Sequence, residues 1–462
     1  MRPGKGWWVK QIKHFSSLVI SLLYVGLSGQ EDDGWIDLFN AKDLNDWQQK
    51  GGDATYEVVD GTILGTTVAN SPNSFLCTEQ IYADFILEYE MHVDTGLNSG
   101  VQIRSNSFPD YRNGRVHGYQ VETDPTPRAF TGGIYDESRR GWIYPVSRNP
   151  KGRTAFKDGE WNHFRVEAFG NTIRTWVNGI MSANLVDDLT AKGFIGLQVH
   201  SVVRPDMVGK IVKWRNIRIK TQGIKRDRKR VDADVPEMSF LTNKLTRVEK
   251  KNGWQLLWDG KSHKGWRGAH SPNFPKSGWK MKNGVLTILK SDGTKRSGDI
   301  MTKDQFEDFE LNVDFKITKG ANSGIKYYVD KTSEIVLGCE YQILDDKQHE
   351  DAKRGINGNR TLGSLYDLIP AKGMTVQGRP KQFKGVGTWN RARIISKDGH
   401  VEHWMNGEKI LKYDRFSATF QTMIANSKFA KWPKFGQSEK GHILLQDHGD
   451  TVHFRNIKIR EL

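Results

Sequence analysis

Two short stretches concentrate groups that can move protons and hold hydroxyls. Gly338-Cys-Glu-Tyr-Gln-Ile-Leu-Asp-Asp346 carries Glu340, Gln342 and Asp345, and His117-Gly-Tyr-Gln-Val-Glu-Thr-Asp124 carries Gln120 and Glu122. Large apolar residues alternate with polar ones in both, the period of a half-buried β-strand. Cys339, Tyr341 and Ile343 then share one face and Glu340 and Gln342 the other, while Tyr119 and Val121 oppose Gln120 and Glu122. The same parity on neighbouring runs presents Lys326 with Tyr328, Glu402 with Trp404, and Gln446 with His448. Earlier in the chain it presents Gln102 with Arg104, Arg174 with Trp176, and Gln198 with His200. Carboxylates serve as general acids and bases, amides both donate to and accept from hydroxyls, and aromatic faces stack on C–H-rich rings. That mix suits a sugar. The plain alternative is that outer faces of any sandwich are polar and that a Trp can pack under a loop.

These strands belong to a chain that repeats itself. Gly34-Trp-Ile-Asp-Leu-Phe-Asn40 returns as Gly253-Trp-Gln-Leu-Leu-Trp-Asp259, and Asn98-Ser-Gly100 returns as Asn322-Ser-Gly324. Ile134-Tyr-Asp136 matches Leu365-Tyr-Asp367, Trp176-Val-Asn-Gly179 matches Trp404-Met-Asn-Gly407, and Arg215-Asn-Ile217 matches Arg455-Asn-Ile457. The order is kept and the offset is the length of a domain, so these are whole duplicated domains rather than solenoid repeats. A chain of 462 residues also exceeds what one core supports. The predicted division is a first domain over 30–221, a charged linker over 222–252 and a second domain over 253–462. Asn178-Gly179, Asn406-Gly407 and Asp398-Gly399 each sit between alternating runs, the strongest short hairpin signal. Helical periodicity is weak, so the fold class is all-β, a sandwich or jelly roll in each copy.

The net charge of +15 raises the question of nucleic acid. The basic residues are spread through strands and turns, however, and the densest run, Lys225-Arg-Asp-Arg-Lys-Arg230, lies in the linker without a recognisable nucleic-acid module. It reads as a solvated linker, with no nucleic-acid partner. Cys77 and Cys339 fall in different copies and show neither metal spacing nor an evident bridge. A basic head (Arg2, Lys5, Lys10, Lys13), an apolar run from Phe15 to Leu27 and the small residues Ser28 and Gly29 give the order of a secretory signal peptide over 1–29. The run is short for a spanning helix, and no later stretch could cross a membrane. The expectation is an exported protein, periplasmic or extracellular, with no stable membrane span after cleavage.

Several candidates also have structural readings. Asn178 and Asn406 suit turns, because Asn tolerates positive φ. His403 falls on the apolar parity of its strand, the place of a satisfied core histidine. Asp124, Asp345 and Asp346 end strands and can cap turns, and Tyr135 and Tyr366 can be core aromatics. Arg139, Arg140 and Trp142 can line a rim or lie in solvent. The histidines and nearby acids lack tight metal-ligand spacing; no cofactor is evident and a divalent cation is left open.

The ordered strings Asn-Ser-Gly, Glu-Tyr-Gln-Ile-Leu-Asp, Trp-Asn, His-Trp-Met-Asn-Gly, Leu-Gln-Asp-His-Gly and Phe-Arg-Asn-Ile resemble the 3-keto-disaccharide hydrolase family, over nearly all of both copies. The resemblance implies two tandem concanavalin-like jelly-roll β-sandwich domains. It implies cleavage of glycosides already oxidised to a ketone at C3, where the ketone acidifies the C2 proton and the C1 substituent leaves by elimination before water adds. Carried onto this sequence, the catalytic set is Glu340, His448, Asp345, Tyr366 and His403. Glu340 or His448 would be the base and Tyr366 or Asp345 the proton donor, with Gln342 and Gln446 positioning hydroxyls. The substrate-binding set adds Trp404, Glu402, Gln120, Glu122, Arg174, Trp176, Gln198 and His200. Copy one departs from copy two, with Gly118 taken opposite Glu340 and Thr175 opposite His403. Direct hydrolysis by two carboxylates stays open. The competing reading is a non-catalytic carbohydrate binder using the same faces, and a third is a structural module with covered polar faces.

Overall fold

The alternation resolves into antiparallel ladders. In the computed structural model, which describes residues 33–291, 298–330, 335–372, 381–432 and 434–462, each copy is a two-sheet sandwich. The leader expected over 1–29 lies outside the described residues. Copy one faces a nine-stranded sheet with a seven-stranded one; copy two faces an eight-stranded sheet with a five-stranded one. The apolar parity of each strand fills the space between. Val101, Tyr119, Val121, Val166 and Leu197 lie in one hydrophobic core, and Ile325, Tyr327, Tyr341, Ile343, Ile394 and Met405 lie in another. Among the described residues, no helix is long and apolar enough to cross a membrane. Both cysteines are free and buried.

The hairpin signals are realised. Asn178-Gly179 (φ 48° and 81°), Asn406-Gly407 (50° and 86°) and Asp398-Gly399 (50° and 80°) put both central residues at positive φ. That is the type I′ turn that matches strand twist. One parity assignment fails for a local reason. Arg104 (φ 47°) and Tyr328 (φ 53°) sit where the ladder register shifts, in the strands Ser99–Asn106 and Asn322–Asp330. A bulge turns the following side chains over. Both residues are therefore buried rather than outward: Arg104 pairs with Asp84 at 2.9 Å, and Tyr328 donates to Glu307 O at 2.6 Å.

In the segment 222–252, Lys225, Arg226, Lys229 and Arg230 of the basic run are exposed, while later residues pack against the two copies. Met238–Ser239 adds a parallel strand to Ile180–Val186 of copy one, and Val235 and Met238 join its core. The short helix Arg247–Lys251 opens on a capping box between Thr246 and Glu249, an arrangement that satisfies two otherwise orphaned N–H groups. Its Glu249 forms an ion pair with Lys458 of copy two. The buried Glu249–Lys458 pair is one that alternation cannot reveal.

Candidate functional site

The outer face of the five-stranded sheet in copy two borders a cavity of about 380 Å³. The strand Leu337–Leu344 contributes Glu340 and Gln342, Asn322–Asp330 contributes Asn322 and Lys326, and the residues just past His442–Leu445 contribute Gln446 and His448. Tyr366 closes one side. The roof is an insertion. Between Glu408–Asp414 and His442–Leu445 the chain forms the helix Ala418–Ala425 and the turn Lys428–Lys431, placing Lys428, Phe429, Lys431 and Trp432 over the sheet. Copy one has only residues 187–193 at this point, between Ile180–Val186 and Phe194–Val199.

Glu340 is buried at the centre. Loss of water raises its pKa, with Lys326 and Lys428 opposing and Asp299 and Asp351 adding to the rise. The Lys326 ammonium lies 4.0 Å from its carboxylate. Lys428 has its pKa lowered by burial, against the pull of Asp367 and Glu340, and its ammonium sits 4.0 Å from the Tyr366 ring centroid. Tyr366 donates its hydroxyl to Asp351 at 2.9 Å, and Arg360 holds the other Asp351 oxygen at 3.0 Å. Burial and then this bond to a carboxylate push the Tyr366 pKa well up. Burial would raise Asp351 as well, but the Tyr366 and Arg360 bonds keep it below the ordinary carboxylate value. The cavity thus holds a carboxylate that favours taking a proton beside an ammonium that favours losing one.

Not every expected residue comes here. Asp345 lies outside this lining and accepts from Gly320 N at 2.8 Å and Lys347 N at 3.1 Å, a turn cap. His403 is fully buried between the sheets. Its Nδ1–H donates to Gly363 O at 2.9 Å, so Nε2 accepts from Tyr327 Oη at 2.8 Å. Burial lowers its pKa to about 4, leaving it neutral. Thr175 donates to Gly132 O at the matching place in copy one, the same structural task with a shorter side chain. Glu402 and Trp404 lie on the other sheet, in His400–Met405. Trp404 is buried, donates to Glu402 at 2.8 Å and lies under Arg393 and Lys409. Trp176 is likewise buried, with Lys229 over its ring, and Arg174 donates to Asn184 at 3.3 Å. Neither Trp offers a free stacking face.

The pairing of the copies also differs from the expected one. Gly100 is opposite Glu122, whereas Gly324 is opposite Gln342. The equivalent pairs are therefore Gln120 with Glu340 and Glu122 with Gln342; Gly118 corresponds to Gly338. Carboxylate and amide have exchanged places on one face. In copy one this face is tied to itself: Gln102 donates to Gln120 (2.5 Å), Gln120 to Glu122 (2.8 Å) and Gln198 (3.2 Å), and Asn98 to Glu122 (2.8 Å). Burial raises Glu122 to about 7 despite these donors. His200 meets Ser201 O at 2.7 Å, and burial lowers its pKa.

Sequence reasoning missed Lys428, Lys431 and Trp432, which carry no motif of their own, and met Asn322 only as part of the repeated Asn-Ser-Gly string. It also missed a donor cluster at the cavity edge. His349, His448 and Asp450 each bring a ligand-type atom within 4.8 Å of the others.

The fold and this cavity define a duplicated jelly-roll protein with a polar, roofed pocket on one copy. The sequence profile of the 3-keto-alpha-glucoside-1,2-lyase-like domain matches residues 34–220 and 253–460, and the chain belongs to that family. It is 36% identical over 237 residues to a 3-keto-disaccharide hydrolase from Bacteroides thetaiotaomicron, covering 46% of this chain and 79% of the relative. A solved structure described as a candidate glycosyl hydrolase from Parabacteroides distasonis is 30% identical, with a TM-score of 0.42, covering 48% of this chain and 99% of that one. A carbohydrate-binding module from Bacillus subtilis is 14% identical, with a TM-score of 0.27, covering 38% and 95%.

Proposed function

We propose that the chain cleaves 3-keto-glycosides, including 3-keto-disaccharides, in the cavity of its second copy, by elimination followed by hydration. The observation that carries this reading is the desolvated Glu340 facing a sugar-sized pocket lined by Gln342, Gln446, Lys326, Lys428 and His448. Glu340 takes the C2 proton that the neighbouring ketone acidifies, a match of pKa to task. The resulting enolate gains from the two ammonium groups beside it. As the C1–O bond breaks and C1=C2 forms, the leaving oxygen receives a proton from Lys428, whose lowered pKa suits a donor. Water then adds across the double bond: its hydroxide joins C1, its other proton returns to Lys428, and Glu340, whose proton has exchanged with solvent, protonates C2, so the net change is hydrolysis. Tyr366, held by Asp351, keeps its proton and serves as a wall and hydroxyl contact. Asp345 and His403 have no part in these steps.

The test is release of sugar from a 3-keto-disaccharide beside its unoxidised parent. Wild type should act on the keto form alone, and Glu340→Gln should lower kcat/KM about a hundredfold or more. Equal rates for the variant and wild type would remove Glu340 from the chemistry, and retention of sugar without turnover would favour the carbohydrate-binding reading.

A further inference from the structure

We infer that the second copy binds one divalent transition-metal ion through His349, His448 and Asp450 at the edge of the cavity. Two imidazoles and a carboxylate form a donor set suited to such ions, and three protein ligands leave positions open for water or substrate. Donor atoms within 4.8 Å of one another need only small side-chain rotations to meet an ion at about 2.1 Å. The ligands are already oriented. Asp450 Oδ2 accepts from Asn322 N at 3.1 Å, and His349 Nδ1 accepts from Asp351 N at 3.1 Å. Coordination through Nδ1 replaces that long hydrogen bond; coordination through Nε2 requires its proton to move to Nδ1.

A second observation points the same way. Asn322 is buried and lines the cavity with His448, yet its Oδ1 has no hydrogen-bond partner among the described residues. An orphaned buried carbonyl oxygen is costly unless something meets it. A cation, or water bound to one, supplies that partner. Copy one lacks the arrangement. Position for position, Val202 stands where copy two has Asp450, and the Asn98 amide is committed to Glu122. The ion belongs to one copy.

On the reading proposed above, an ion here would act as a Lewis acid toward the ketone oxygen or an adjacent hydroxyl of the keto-sugar. Binding is tested without substrate. The full chain, stripped with EDTA and dialysed, is titrated with MnCl2 and with ZnCl2 by calorimetry. One ion per chain with micromolar or tighter affinity is expected, and His349→Ala and Asp450→Asn should each weaken it at least a hundredfold. X-ray absorption of the zinc-loaded wild type should show two imidazole ligands, which keeps the test decisive if a variant misfolds. No binding up to millimolar metal, two equivalent ions, unchanged affinity in folded variants, or absence of imidazole scattering would each overturn the inference. Sugar release is scored separately: an ion bound by these residues without turnover would defeat the proposed reaction and leave the site standing.

Discussion

Glu122 and Glu340 are buried on the outer faces of corresponding sheets, one residue pair apart in register, and their surroundings decide what each can do. Glu340 faces open space and two ammonium groups. Glu122 is locked under Asn98 and Gln120 donors, its pKa raised to about 7 by burial. The folded chain therefore holds a proton that the unfolded chain, with an ordinary carboxylate near 4.5, has already lost. Stability from that proton is full below pH about 4.5 and is lost as pH rises through about 7. Urea melts of wild type should show more stability lost between pH 5 and pH 8 than those of Glu122→Gln. The difference should reach ~2–3 kcal/mol, since one pKa unit is about 1.4 kcal/mol. A common slope would show that Glu122 ionises normally. Period-two parity made these carboxylates legible and put His403 among core residues. It could not tell which outward carboxylate faces a cavity, because that depends on what lies above the sheet.

What lies above the sheet is an element with little sequence signature. The helix Ala418–Ala425 and the turn ending at Trp432 roof copy two, and the corresponding residues 187–193 of copy one do not. The strands, type I′ turns and duplication followed from alternation and from Asn-Gly and Asp-Gly pairs. The bulges at Arg104 and Tyr328 did not, since one residue in the left-handed region inverts parity without any change of pattern. Nor did the strand register: identical Tyr-Gln pairs at 119–120 and 341–342 invite an alignment that the Gly100 and Gly324 ladders displace by two residues. His349 and Asp450 escaped notice because a loop and a strand end bring together residues a hundred positions apart. The roof has its own test. Trp432 lines the cavity and packs, half-buried, against the core of copy two, and Trp432→Ala should raise KM for the keto-sugar about tenfold, roughly 1.4 kcal/mol of binding, with kcat little changed. A loss in kcat with KM unchanged would place Trp432 in the chemistry instead.

At the scale of the whole molecule, two like sandwiches are joined by a segment that both of them grip. Arg391 of copy two donates to Ser239 O at 2.7 Å while holding Asp314 at 2.6 Å, and its guanidinium lies 4.2 Å from the Phe240 ring centroid. Arg148 of copy one, half-buried, lies beside Arg393 and Glu310 of copy two, and desolvation, with Arg393, lowers its pKa to about 10. Reciprocal bonds complete the seam: the backbone N–H of Asn243 donates to Asn456 Oδ1, and that of Asn456 to Asn243 Oδ1. Buried charge of this kind fixes an arrangement more than it adds stability. The seam leaves the Glu340 cavity clear, since its lining comes wholly from copy two. The outer face of copy one is instead tied by its own side chains, Asn98, Gln102, Gln120, Glu122 and Gln198. The central claim is that Glu340 removes and restores the proton at C2 of a keto-sugar. The most direct measurement is cleavage of a 3-keto-disaccharide in D2O, read before buffer alone labels the substrate. The account predicts one deuterium at C2 of the released keto-sugar with wild type, and neither cleavage nor label with Glu340→Gln. Cleavage by wild type that leaves C2 fully protonated would contradict it.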